Sequence, residues 1–245
     1  MSVAGKLVVV TGGGTGIGFG IAKAFYQSGC RVIITGRRAE KLEQAIQSMD
    51  GENGGTIEGL ACDVSDRTAV VALFEKIHQQ QGMVDILVNS AGTNIANRTM
   101  EAMSPEQWDE VLAINASGAY NCIYQVLPSM RERQDGLIIN VSSIAGKRAL
   151  TLGGIAYAAS KFAMTALGTA IANEVSQESV RVTNLYPGEV NTPILEKRPN
   201  PVSDQQKARM VQPEDVGNLM VAIACLPSRA HVPEVILKPT VQEYV

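Results

Sequence analysis

The sequence predicts a single α/β domain over residues 1–245, built on a doubly wound, Rossmann-like parallel sheet of seven strands with helices on both faces. Two observations predict this fold. Short β-branched runs alternate with longer stretches of helical periodicity along the whole chain. Strand candidates such as 7–10 are also continuously apolar, as strands that are covered on both faces tend to be.

The predicted elements alternate in chain order, so helices supply the crossovers that parallel strands need. The strands are 7–10, 31–34, 56–62, 85–88, 137–141, 180–185 and 234–237. The helices are 17–28, 38–49, 66–81, 104–132, 155–178 and 213–226. Three long irregular segments, 89–103, 143–154 and 187–212, all follow strands. We therefore expect them at the carboxyl edge of the sheet, where open α/β folds bind ligands.

Composition excludes several classes of protein. Hydrophobic residues make up 45% and charged residues 18% of the chain, which excludes a disordered chain, collagen and a coiled coil. The net charge of −3 is not gathered into runs, so we expect no nucleic-acid partner. The sequence has no run of 18 consecutive apolar residues and no signal-peptide pattern. We therefore expect a cytoplasmic protein that has no membrane partner. Four scattered cysteines and two histidines predict no metal site.

A glycine-rich turn follows the first predicted strand and leads directly into the first helix. Glycine lets the backbone approach a pyrophosphate, whose charge is received by the free N–H groups at the helix start. The turn therefore predicts a dinucleotide cradle, with a flexible loop as the alternative. Its candidate contacts are Gly12, Gly14, Thr15, Gly16, Ile17 and Gly18.

The end of the second strand bears on cofactor choice. An acidic residue here typically holds the adenosine ribose of NAD, but this chain has Gly36 followed by Arg37 and Arg38. A guanidinium favours a 2′-phosphate, so the sequence predicts NADP(H) over NAD(H). A solvated turn before a helix is the alternative.

The next two strand ends supply further candidate cofactor contacts. Asp63 and Val64 end the third strand, and Asp63 is suited to accept from an adenine amino group. Asn89, Ala91 and Gly92 end the fourth strand, where small residues leave room for a cofactor. Ordinary strand-end turns would also explain both sets.

A candidate catalytic pair lies within the predicted helix 155–178. Tyr157 and Lys161 are four residues apart and therefore share one helix face. The ammonium is expected to lower the pKa of the phenol towards neutrality. This spacing is common by chance in helices and gains meaning only from its neighbours.

Two further polar residues complete the candidate site. Ser143, preferred over Ser142, ends the fifth strand and is placed to donate to a substrate oxygen. Asn115 is a polar residue on an apolar helical face, so it needs hydrogen-bond partners. A water-mediated chain to Lys161 would satisfy it, as would a helix cap or an ordinary core amide environment.

In this order and spacing, the motifs resemble those of the short-chain dehydrogenase/reductase family, NADP-preferring type, over essentially the whole chain. The resemblance implies a catalytic tetrad of Asn115, Ser143, Tyr157 and Lys161. In this tetrad Tyr157 would be the acid/base and Ser143 would polarise the substrate carbonyl. Lys161 would bind the nicotinamide ribose, and Asn115 would hold a relay water. It also implies cofactor contacts by Pro187, Gly188, Val190 and Thr192. A homotetramer or homodimer formed through 104–132 and 155–178 is expected. The C-terminal residues 238–245 depart from the family's frequent glycine-containing end.

The predicted function is hydride transfer between nicotinamide C4 and the carbonyl or alcohol carbon of a small organic substrate. A non-catalytic NADP-binding regulator of the same fold is the alternative, and a methyltransferase would not explain Arg37. A substrate lid is expected near 189–212. Its mixed charges, with Arg98, Lys147 and Arg148 nearby, suit either an anionic substrate or a solvated surface.

Overall fold

A computed structural model describes residues 2–49, 54–198 and 200–243 of the chain. Seven parallel strands form one sheet in the order β3-β2-β1-β4-β5-β6-β7. The strands are β1 Leu7–Thr11, β2 Arg31–Gly36, β3 Thr56–Ala61, β4 Ile86–Asn89, β5 Gly136–Val141, β6 Val180–Pro187 and β7 Glu234–Leu237. The predicted fold class is confirmed, and the strand order reverses between β1 and β4, where ligands bind in open α/β sheets.

The described part of the chain contains eight α-helices. They are α1 Gly16–Gln27, α2 Ala39–Met49, α3 Arg67–Gln81, α4 Pro105–Leu112, α5 Gly118–Arg133, α6 Ile155–Glu174, α7 Asp204–Ala208 and α8 Pro213–Ala224. The predicted starts of α3 and α4 are explained by their caps. The Asp66 carboxylate accepts from the N–H groups of Thr68 and Ala69, and Ser104 forms a capping box with Gln107.

The sheet divides the hydrophobic core into two clusters, because successive side chains of a strand point to opposite faces. In β1, Val8 and Val10 pack into one cluster, while Leu7 and Val9 pack into the other. All four are fully buried. Burial on both faces is the reason that a central strand such as β1 is apolar without alternation.

The predicted helix 104–132 is interrupted at its middle. Residues Ala113–Ser117 form one π-turn, in which the N–H of Gly118 donates to the carbonyl of Ala113 five residues earlier. The backbone stays in the right-handed helical region on both sides, so α4 and α5 continue one another. Such turns are frequent at functional sites, and this one holds Asn115.

Two other boundaries differ from the sequence prediction. Helix α6 ends at Glu174 rather than at 178, after which the chain turns into β6. The segment predicted to be irregular over 187–212 contains a 3₁₀ turn at Pro193–Lys197 and the short helix α7. By length and composition alone, α6 would also be long and apolar enough to cross a membrane, a criterion that core helices of soluble proteins meet as well.

Candidate active site

A cleft of about 470 Å³ runs along the carboxyl edge of the sheet. Most residues predicted for the site line it: Gly12, Thr15, Gly16, Ile17, Gly18, Arg37, Arg38, Gly92, Ser143, Tyr157, Lys161, Pro187, Gly188, Val190 and Thr192. The other predicted residues do not line this cleft: Gly14, Asp63, Val64, Asn89, Ala91 and Asn115. The three segments predicted to gather at this edge all contribute to its walls.

The turn after β1 is closed against the loop after β4. Gly12 has φ +66°, and a Cβ there would lie 2.8 Å from the Ala91 Cα. The Thr11 hydroxyl accepts from the N–H groups of Ser90 and Ala91 at 3.1 and 3.0 Å. Gly16 also has a positive φ, and a Cβ there would touch Thr192 across the cleft. A side chain at either glycine would fill the cradle, and no side chain caps the first turn of α1.

The far end of the cleft is basic. Arg37 and Arg38 are exposed at the end of β2, and Gly36 leaves no carboxylate between them and the glycine turn. Asp63 accepts from the Ser65 N–H and hydroxyl at 2.9 and 2.7 Å. Burial raises the pKa of Asp63, but these hydrogen bonds and the Arg37 charge outweigh it and hold the pKa below its usual range.

Lys161 is a buried cation at the centre of the cleft. Its side chain is 4% exposed and its Nζ donates to the main-chain oxygen of Val141 at 2.8 Å. Burial lowers the pKa of Lys161 to about 8. No ion pair to Lys161 forms within residues 2–49, 54–198 and 200–243.

The expected effect of Lys161 on Tyr157 is not what the structure shows. Burial raises the pKa of the Tyr157 phenol. A hydrogen bond with Ser143 and the charge of Arg98 act in the opposite direction but are outweighed. Lys161 is not among these influences. Its Nζ lies 5.7 Å from the centre of the Tyr157 ring and is directed to Val141. Desolvation, which spacing along a helix does not reveal, therefore outweighs the predicted charge effect.

The two adjacent serines have different surroundings. Ser143 Oγ accepts from the Ala145 N–H at 3.1 Å and hydrogen-bonds with Tyr157. Ser142 is buried, and its Oγ donates to the Lys161 carbonyl at 3.1 Å. Ser142 thus braces α6 against β5, whereas Ser143 is the serine that meets the phenol.

Asn115 is fully buried beside the cleft with every polar atom of its side chain satisfied. Its amide donates to the Thr93 carbonyl at 3.0 Å and to the Ser160 hydroxyl at 2.9 Å, and its Oδ1 accepts from the Thr93 N–H at 2.8 Å. Of the alternatives left open by the sequence, the satisfied core amide describes this side chain. Gly92 separates it from Lys161, because a Cβ there would lie 3.5 Å from both side chains.

Three asparagines form a ladder across the strand ends that sequence reasoning did not identify. Asn89 donates to Asn140 Oδ1 at 2.9 Å, and Asn140 donates to Asn184 Oδ1 at 3.1 Å. The three residues are paired in register on β4, β5 and β6. The available signal was the recurrence of asparagine near the end of three strands. Asn89, predicted as a cofactor contact, is 2% exposed and belongs to this ladder.

The 189–212 segment is pinned at both ends and in its middle. At its base, Val190 bridges Val211, and the Asn191 N–H donates to the Val211 carbonyl at 2.9 Å. In its middle, Lys197 Nζ donates to Thr93 Oγ1 at 2.9 Å. Arg98, from the loop after β4, donates from Nη2 to the Lys197 carbonyl at 2.8 Å. The segment therefore lies against the cleft rather than away from it.

Residues 238–242 fold back onto the cleft. Gln242 Oε1 accepts from the Glu189 N–H at 2.9 Å, and a Cβ at Gly188 would collide with that same oxygen. Lys238 Nζ donates to the Gln242 carbonyl at 2.7 Å. Gln242 lines the cleft, although the sequence offered no motif that would select it.

The doubly wound sheet, the glycine cradle and the converging Ser143, Tyr157 and Lys161 define a nucleotide-binding oxidoreductase. Comparison with known families gives the particular class. The model of the short chain dehydrogenase family matches residues 6–202, and the chain belongs to that family.

Named relatives span nearly the whole chain. The 3-oxoacyl-[acyl-carrier-protein] reductase of Thermotoga maritima is 31% identical over 91% of this chain and 92% of its own. The alcohol dehydrogenase of Thermococcus sibiricus, complexed with 5-hydroxy-NADP, has a TM-score of 0.87 at 26% identity and covers 98% of this chain and 99% of its own. A serine dehydrogenase complexed with NADP+ has a TM-score of 0.86 at 30% identity and covers 97% and 96%. The oxidoreductase class predicted from the sequence is thus confirmed.

Proposed function

We propose that this protein is an NADP(H)-dependent alcohol dehydrogenase or carbonyl reductase with Tyr157 as acid/base. The observation that carries the proposal is the convergence of Tyr157, Ser143 and the buried Lys161 on one cleft beside a glycine cradle. When bound, the nicotinamide would supply or accept the hydride at its C4. The protein's own contribution is to position the substrate and move the proton.

Tyr157 would donate its proton to the carbonyl oxygen as the carbon receives hydride, and would take it back in the oxidation. Ser143, which already forms a hydrogen bond with the phenol, would donate a hydrogen bond to the same carbonyl oxygen. With its pKa lowered to about 8, Lys161 would exchange protons near neutral pH and hold the nicotinamide ribose. The Asn115 side chain would hold the loop after β4 in place, and a relay water would be held by the Asn115 main-chain carbonyl in the π-turn.

The cradle residues and the basic end of the cleft fit NADP(H) better than NAD(H). Phosphate oxygens would approach the glycine turn and the uncapped start of α1. Arg37 and Arg38 would hold the 2′-phosphate where a carboxylate would repel it. Pro187, Gly188, Val190 and Thr192 would back the nicotinamide. The 5-hydroxy-NADP bound by one structural neighbour and the NADP+ bound by another support this choice.

We propose further that the protein is a cytoplasmic homodimer or homotetramer with the 189–212 segment as a substrate lid. Large apolar side chains on α5 and α6 are exposed, and they would be covered by a second copy. They are Tyr120, Tyr124, Ile155 and Phe162, exposed by 43, 65, 40 and 42%.

A small carbonyl or alcohol compound is the proposed substrate, and no nucleic-acid or membrane partner is proposed.

The test mixes the purified protein with NADPH and a panel of aldehydes and ketones and follows the loss of reduced-cofactor absorbance. We expect turnover of at least one carbonyl compound, with the matching alcohol as product. Tight NADPH binding without turnover of any carbonyl or alcohol would instead support the non-catalytic regulator.

A further inference from the structure

Three cations lie close together in the wall of the cleft that also contains Tyr157. Arg98 comes from the loop after β4, and Lys197 and Arg198 come from the end of the 3₁₀ turn. Arg98 Nη2 donates to the Lys197 carbonyl, which joins the two segments directly. The proposed lid therefore contributes two of these three cations to the cleft that holds Tyr157 and Ser143.

These charges are only partly compensated. The carboxylates in this part of the cleft are Glu189, which pairs with Arg198 at 2.9 Å, and Glu196, which is exposed. Arg98 forms no ion pair in the described residues, and its guanidinium is directed to three main-chain carbonyls, those of Ile95, Leu152 and Lys197. A guanidinium has five N–H donors, so two remain for a ligand.

Arg98 is also close to the proposed acid/base. Its Cβ packs on Gly154, one helical turn before Tyr157, where an added Cβ would come within 2.6 Å of it. Burial raises the pKa of Tyr157 and the charge of Arg98 opposes that rise, while burial and then the charge of Arg198 lower the pKa of Arg98. The two guanidiniums therefore repel each other within the cleft that holds the phenol. A ligand anion between them would relieve that repulsion.

We propose that the substrate carries a carboxylate a few atoms from its reacting carbonyl or alcohol carbon, and that Arg98, assisted by Arg198, binds it. A substrate bound in this way has its anionic end at the lid and its reacting oxygen at Tyr157 and Ser143. The substrate class is then an oxo acid or hydroxy acid. This assignment rests on the proposed function, since it names the substrate of the same site.

The test compares three oxo acids with their own methyl esters: 2-oxobutanoate, 3-oxobutanoate and 4-oxopentanoate. With NADPH, we expect kcat/KM for the best acid to exceed that for its ester by about tenfold or more, as a charge-assisted hydrogen bond provides. Because Arg98 also ties the lid segment to the loop after β4, Arg98→Gln should slow both substrates, but it should lower kcat/KM far more for the acid than for the ester and so remove the preference. Arg229→Gln, at an exposed position outside the cleft, leaves it unchanged. Equal rates for acid and ester in the natural protein would overturn the proposal, as would an equal fall for both in Arg98→Gln.

A second variant should strengthen binding of the acid, and it leaves Arg98 itself unsubstituted. Glu189→Gln removes the carboxylate that neutralises Arg198, so we expect a lower KM for the acid and no change for the ester. An unchanged KM for the acid would count against the role of Arg198.

Calorimetry of malonate binding to the NADP+-loaded protein separates this inference from the proposed reaction. If no carbonyl compound is turned over but malonate binds and Arg98→Gln abolishes its binding, the carboxylate site stands and the proposed reaction falls. If carbonyl compounds are turned over without preference and malonate does not bind, the reaction stands and the carboxylate site falls.

Discussion

The Lys161 ammonium donates to the main-chain oxygen of Val141 at 2.8 Å, so the last residue of β5 holds the cation in the cleft. Lys161 is 4% exposed and has no carboxylate partner among the described residues. A buried unpaired cation lowers stability. Because Lys161 lies beside Tyr157, we infer that the lysine is kept for its function despite this loss of stability.

Replacing Lys161 by Met should therefore stabilise the protein and inactivate it. The pKa of Lys161 falls from 10.5 to about 8, which corresponds to a penalty on the order of 3 kcal/mol for the protonated form. Between these pH values the unfolded chain binds more protons than the folded one, so the natural protein gains stability as pH rises from about 8 to 10.5. Urea unfolding at pH 7 and pH 10 should show the advantage of Lys161→Met shrinking at the higher pH. Lys76→Met, at an exposed position of α3, is the control, and a pH-independent advantage of Lys161→Met would contradict the burial account.

Gly12 and Gly5 form a matched pair for testing the cradle. Both have positive φ, +66° and +79°, but a Cβ at Gly5 meets nothing within 4 Å whereas one at Gly12 meets the Ala91 backbone. Gly5→Ala should cost about 1 kcal/mol of unfolding free energy from backbone strain alone. Gly12→Ala should cost about 1–3 kcal/mol more and abolish NADPH binding, because the turn must move. Equal losses of stability in the two variants would refute the close approach.

Arg37→Ala should discriminate between the two nicotinamide cofactors. Loss of a charge-assisted hydrogen bond to the 2′-phosphate should raise the Kd of NADPH by about tenfold or more and leave that of NADH nearly unchanged. Fluorescence titration with each cofactor measures both values, and Arg229→Ala serves as the control for lost surface charge. Parallel changes for NADPH and NADH would show that Arg37 does not contact the phosphate.

Gln242 tests whether the C-terminal turn shapes the cleft. Gln242→Ala leaves the Glu189 N–H without its acceptor, so we expect faster hydrogen exchange at that amide. KM for NADPH should rise by about three- to tenfold, the effect of one lost hydrogen bond. Gln242→Glu retains an acceptor oxygen and should largely preserve exchange protection. An unchanged exchange rate of the Glu189 amide in Gln242→Ala would contradict the role of this turn in shaping the cleft.

The sequence was sufficient for the strands and the cradle because their signals are local. Continuous β-branched runs such as 7–10 and the glycines after them identify themselves without any knowledge of distant contacts. The π-turn at Ala113–Ser117 left no such signal, since its residues keep right-handed helical geometry and differ only in their hydrogen bonds. The sequence therefore predicted one uninterrupted helix over 104–132.

Long-range contacts explain what else was missed at the site. Lys197 and Thr93 are 104 positions apart, and the asparagine ladder joins three strands, so spacing along the chain predicts neither. The pKa of Tyr157 depends on how deeply the folded chain buries it. A helix pattern that places Lys161 on the same face carries no information about that burial.

Tyr157→Phe tests the central claim most directly. The measurement is kcat for NADPH-dependent reduction of the best carbonyl substrate, together with the Kd of NADPH in the same variant. Because the change removes only the proton-carrying hydroxyl, kcat should fall by about 10²–10⁴-fold while Kd stays within about twofold. A variant that retains the natural kcat would contradict the assignment of Tyr157 as the acid/base.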